Sequence, residues 1–164
     1  MNCAENMFSM RLSALSENES FARSAVAAFC LPLDPTLEEI NDIKTAVSEA
    51  VTNCVVHAYN GAKDKYIDMT VHIDARLNKV SISVKDEGCG IPDVKKALEP
   101  FFTTKADEER SGMGFTIMRT FTDCLQVKSE EGKGTEVSMT KFIRGASDAC
   151  ARRNAGIDRA CEER

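Results

Sequence analysis

The chain has 164 residues, 43% apolar, 29% charged and 6% aromatic, with 21 Lys and Arg against 26 Asp and Glu for a net charge of −5. That length allows one core, and a domain of this size buries about two-thirds of its unfolded surface without needing a disulfide or metal staple. The longest apolar run, Ala25 to Leu31, falls far short of the ~20 residues that cross a bilayer, and the start Met1-Asn2-Cys3-Ala4-Glu5 lacks a basic, apolar leader.

Neither membrane association nor secretion is therefore expected. No dense Lys/Arg cluster offsets the acidic excess, so direct nucleic-acid binding through phosphate neutralisation is not expected either. The seven cysteines (Cys3, Cys30, Cys54, Cys89, Cys124, Cys150, Cys161) are odd in number and contain no C-x-x-C. They read as reduced cytosolic thiols and place the chain in the cytoplasm. A zinc site would want histidines, and only His57 and His72 exist.

Phe8, Met10 and Leu12 alternate with Ser9, Arg11 and Ser13, the period of a half-buried strand. Ser16 followed by Glu19 has the form of a capping box, and the helix it opens carries Phe21, Ala25, Ala28 and Phe29 on one side before Leu31-Pro32 stops it. Thr36 with Glu39 repeats the box and opens the longest helix, to about Ala58. Its apolar stripe is Leu37, Ile40, Ile43, Val47, Ala50, Val51, Cys54 and Ala58. Two alternating runs, 67–73 and 80–84, form a hairpin around Asn78. A turn-rich stretch from Gly88 to Gly114 holds one short helical candidate near Val94 to Leu98. A helix from about Met113 to Thr122 and two strands, 125–129 and 135–142, close the domain. The order of elements predicts an α+β two-layer sandwich, with a mixed, mostly antiparallel sheet and helices on one face, over residues 1–144. The Ala/Arg-rich tail 145–164 has almost no large apolar residues and reads as a disordered or weakly helical appendage.

Four groups of residues carry chemistry. Glu49 and Asn53 stand four apart on the long helix, about 140° from the centre of its apolar stripe. They form either a solvated back face or a polar site; Val56 on the same side breaks the purely polar pattern. Asp86 ends a strand whose inward set is Val80, Ile82 and Val84, so its carboxylate faces the core and requires a donor. It either caps the following turn or accepts from a ligand's N–H, and an acceptor-only group suits the 6-amino group of adenine. The glycines of Asp86-Glu87-Gly88-Cys89-Gly90 would let backbone approach a planar ligand. Thr103-Thr104-Lys105, an acidic stretch, then Arg110-Ser111-Gly112-Met113-Gly114 can present cations and helix-start amides to phosphates, or can be a plain loop before a capped helix. Gly132-Lys133-Gly134-Thr135 is a hairpin turn that only its company raises to a candidate.

In that order, Glu49-x-x-x-Asn53, Asp86-x-Gly88-x-Gly90, Gly112-x-Gly114 and Gly134-Thr135 resemble the Bergerat-type ATP-binding fold shared by histidine kinases, DNA gyrase, Hsp90 and MutL. The stretches Ser16 to Arg23, Val47 to Asn53, Phe102 to Lys105 and Arg110 to Met118 narrow the resemblance to the anti-sigma F factors of spore-forming bacteria, over about Met7 to Ile143. The resemblance implies ATP and Mg²⁺ as cofactors, with adenine on Asp86 and Mg²⁺ on Asn53. Gly88, Gly90, Thr104, Lys105, Arg110, Ser111, Gly112, Gly114 and Thr135 would line the nucleotide, and Glu49 would be the general base. It implies a serine kinase acting on an anti-anti-sigma factor, a sporulation sigma factor as inhibited partner, a homodimer, and a partner contact at Arg23. The alternative is a nucleotide-responsive sigma-binding module with vestigial catalysis. The residues before Asn53 leave no room for a dimerising acceptor-histidine hairpin, and a long transducer domain is not expected, so transfer to a partner protein is the expectation.

Overall fold

A computed structural model describes residues 5–99 and 113–145. The sequence-predicted tail from 146 onward and the segment holding Thr104, Lys105, Arg110, Ser111 and Gly112 lie outside the described residues.

Strand β1 (Glu5–Ser13) leads into helix α1 (Glu17–Cys30), a short 3₁₀ turn, and helix α2 (Leu37–Asn53). Thr36 caps α2 in full: its hydroxyl accepts from the Glu39 amide at 3.2 Å while the Glu39 carboxylate accepts from the Thr36 amide at 2.9 Å. The helix does not run on unchanged to Ala58. After Asn53 it widens into one π-helical turn, Cys54–Ala58, a departure that recurs at functional sites. Strands β2 (Tyr66–Asp74) and β3 (Lys79–Asp86) form the expected hairpin, with Asn78 at φ 46° in its turn. The short helix α3 (Val94–Ala97), helix α4 (Gly114–Phe121) and the hairpin of β4 (Cys124–Glu130) and β5 (Gly134–Phe142) follow.

The strand order is β1-β2-β3-β5-β4 and every pairing is antiparallel, so the sheet is not mixed as predicted. Both hairpins pair neighbours in sequence, and β5 joins β3 antiparallel with Asp86 opposite Thr135. One sheet face carries Ile67, Met69, Val71, Ile73, Val80, Ile82, Val84, Val137 and Met139, all buried against the helical layer. The other face is polar. One row across all five strands reads Arg11, Asp68, Lys85, Glu136, Lys128, with alternating sign.

Two predictions at α1 need correction. Ser16 makes no side-chain cap, because its own backbone is already helical (φ −59°, ψ −31°) and a capping hydroxyl needs an extended residue. The buried stripe is Ala22, Val26 and Cys30, one step round from the predicted one; Phe21 is left 58% exposed. Apolar residues occupy both stripes of this helix, and the smaller set lets α1 lie close against α2. Leu37 likewise turns outward from the first turn of α2. In the second turn of α2, Asp42 accepts from the Lys141 ammonium on β5, which also reaches the Phe121 carbonyl, each at 2.9 Å, fastening α2, α4 and the sheet together.

Candidate functional site

The site gathers where α2 ends. Glu49 and Asn53 stand one turn apart, and the start of α4 lies against them rather than solvent. A Cβ added at Gly114 would sit 3.2 Å from Glu49 Oε2, 3.2 Å from Asn53 Oδ1 and 3.3 Å from Asn53 Nδ2. Glycine at that position is what lets the helix start approach both polar side chains. Burial, reinforced by the Glu19 carboxylate, pushes the Glu49 carboxyl up from its ordinary value. No cation pairs with Glu49 among the described residues, so the group keeps an affinity for protons, as a general base requires.

Asp86 is where the strand alternation places it, 4% exposed and facing the helices. Its two oxygens have different lives. Oδ1 accepts from the amides of Gly88 at 2.9 Å and Thr135 at 3.2 Å, so the carboxylate does cap its turn and ties it to β5. Oδ2 meets only the Cys54 thiol, at 3.6 Å, among the described residues. Burial pushes the Asp86 carboxyl up against the opposing pull of those donors. Burial, and then the Asp86 carboxylate, hold the Cys54 thiol well above its usual range and so protonated. Through this contact the end of α2 meets the end of β3, and Glu49, Asn53 and Asp86 share one region.

The glycines of the following loop pack against the protein itself. A Cβ on Gly88 would lie 2.5 Å from the Ala58 Cβ and carbonyl oxygen, and one on Gly90, at φ 70°, would collide with the Glu130 carbonyl. They permit close approach of the π turn and the β4–β5 hairpin, with protein on the side where a Cβ would stand. The loop amides are also taken. Glu87 donates to the Tyr59 hydroxyl at 2.7 Å, Cys89 to the Ala58 carbonyl at 3.1 Å and Ile91 to the Ser129 hydroxyl at 2.8 Å. Tyr59 itself donates to the Tyr66 carbonyl at 2.6 Å, and Ser129 lies 2.8 Å from the Thr135 hydroxyl.

Tyr59, Ser129 and Cys54 therefore support the site, and the sequence reading did not assign them to it. Thr135 is 8% exposed beside Asp86. Arg23, on α1, pairs at 3.2 Å with Glu19, the carboxylate that acts on Glu49. Thr104, Lys105, Arg110, Ser111 and Gly112 lie outside the described residues.

The side chains present fit a magnesium nucleotide. A buried carboxylate oxygen with only a weak thiol donor suits an exocyclic amino group. An amide oxygen in a cradle closed by glycine suits a hard cation that draws its other ligands from phosphates and water.

Residues 12–141 match the histidine kinase-like ATPase domain. The chain is 57% identical over 138 residues to the anti-sigma F factor of Caldanaerobacter subterraneus subsp. tengcongensis, covering 84% of this chain and 94% of that protein. The chain belongs to the anti-sigma F factor family. The anti-sigma F factor of Geobacillus kaustophilus is 50% identical over 145 residues, covering 88% of this chain and 98% of its own length. Among solved structures, the RsbU and RsbW domains of Rv1364c from Mycobacterium tuberculosis superpose with a TM-score of 0.59 at 17% identity. The match covers 84% of this chain and 32% of that one, and shows a shared fold. No helix among the described residues of this family member is long and apolar enough to cross a membrane.

Proposed function

We propose that the chain is an ATP-dependent protein serine kinase that phosphorylates an anti-anti-sigma factor and, with nucleotide bound, binds and inhibits a sporulation sigma factor. The half-buried Glu49, without a cation partner among the described residues, beside Asn53, whose neighbour Cys54 reaches Asp86, supports this reading. ATP would supply the phosphoryl group, and Mg²⁺, which the Asn53 amide oxygen would help to hold, would supply charge neutralisation.

The chain's own side chains do the rest. Asp86 Oδ2 accepts from the 6-amino group of adenine and so orients the base. The sutured loop from Glu87 to Ile91 holds that carboxylate in place before ligand arrives, which is the positioning that phosphoryl transfer needs. Glu49 takes the proton from the incoming serine hydroxyl; its raised affinity for protons keeps it a better base than an ordinary surface carboxylate. Lys105, Arg110 and the amides of Ser111, Gly112 and Gly114 would supply the phosphate contacts. Partner binding involves a homodimer and Arg23 on α1.

Incubating the chain with radiolabelled ATP and a candidate anti-anti-sigma protein tests the proposal. Label on a serine of that protein is the expected result. Capture of the sigma factor in the presence of ATP, with no label transferred, would replace the kinase with a nucleotide-responsive binding module.

A further inference from the structure

Cys54 is 3% exposed, follows Asn53 directly and opens the π turn. Its thiol donates to Asp86 Oδ2, while Asp86 Oδ1 is already filled by the amides of Gly88 and Thr135. The carboxylate is thus anchored at one oxygen and only lightly held at the other. A thiol is a weak donor, and at 3.6 Å it steers the oxygen without saturating it. An apolar side chain would leave that buried oxygen with no partner and the carboxylate less firmly aimed.

We infer that Cys54 is a positioning residue for base selection: through Asp86 it favours purines carrying an amino group at position 6 over those carrying a carbonyl there. The inference rests on the proposal that Asp86 reads adenine.

The test compares binding of ATP and inosine triphosphate by calorimetry on the full chain. The two ligands share triphosphate and sugar, and they differ at position 6, where one donates and the other accepts. Cys54→Ala should lower the ATP preference about three- to tenfold. Cys54→Ser, which keeps a donor, should restore at least half of it. Asp86→Asn should abolish it.

A merely structural cysteine would weaken both nucleotides alike. If Asp86→Asn removes the preference while Cys54→Ala and Cys54→Ser both keep the parent ratio, Cys54 has no part in selection and the inference falls alone. If Asp86→Asn also leaves the ratio unchanged, adenine is read elsewhere and both readings fall. Should Cys54→Ala not fold, Cys54→Val, an apolar side chain of similar size, takes its place: a ratio lowered about three- to tenfold supports the inference, and the parent ratio overturns it.

Discussion

The two walls of the site are built on opposite plans. The backbone amides of Glu87, Gly88, Cys89 and Ile91 are matched within the protein by Tyr59, Asp86, Ala58 and Ser129, and a Cβ at Gly88 or Gly90 would meet neighbouring backbone. Along Glu49 and Asn53, the described residues leave the polar atoms facing a glycine, with a carboxylate that burial disfavours. The first wall is a finished frame. The second holds reactive groups at a cost to stability, which is how functional sites generally differ from scaffolds.

Substitutions should separate the walls. The largest effect belongs to Glu49→Gln, which should slow phosphoryl transfer by ~10²–10⁴-fold while ATP affinity, by calorimetry, stays within a few fold. The pH dependence has a definite sign. Because folding raises the Glu49 pKa, the parent rate should climb with pH to an inflection above the ordinary glutamate value, and the variant should lack that inflection. The same shift means that protonation favours the folded state: the contribution is fully present below the unfolded pKa and is lost as pH rises through the folded one. At neutral pH Glu49→Gln should therefore unfold at slightly higher denaturant than the parent.

Gly88→Ala should do the reverse. With its methyl against the Ala58 backbone, it should cost about 3 kcal/mol in urea unfolding, and equal stability would show that the frame is not packed as described. Asp86→Asn bridges the plans: an amide oxygen can still accept from Gly88 and Thr135, but the face toward adenine changes. ATP affinity should fall by ~1–3 kcal/mol with a smaller change in unfolding midpoint. The smallest stability effect is expected of Gly114→Ala, whose methyl meets only the mobile ends of Glu49 and Asn53. Unfolding should stay within about 1 kcal/mol of the parent while nucleotide binding weakens.

How much of this was legible in the sequence follows from where the information resides. Strict alternation in β2 and β3 set their inward faces and with them the burial of Asp86. Thr36 and Glu39 announced their cap because both partners lie within one turn. The face of α1 was ambiguous because Phe21 and Ala25 compete with Ala22 and Val26, and only the α2 surface decides between them. Tyr59, Cys54 and Ser129 were missed as site residues because their partners are 28 to 38 positions away in the chain. One signal was available: periodicity alone put both Cys54 and Asp86 on core-facing stripes, and a buried carboxylate near a buried thiol is a pair to look for. Of the two readings open at Glu49, a solvated back face and a polar site, helix periodicity could not choose, because α4, which packs there, is distant in sequence.

The charged row across the uncovered sheet face has a consequence for how the strands find one another. Sliding a strand by one residue would turn its apolar side chains to water, so hydrophobicity forbids that error. Sliding by two would leave them all inside, and hydrophobicity is blind to it. Such a slip would move Asp68 from Lys85 to Ser83 or Glu87, and would part Glu136 from both of its lysines. The alternating signs thus proofread the misalignment that oily side chains would let pass.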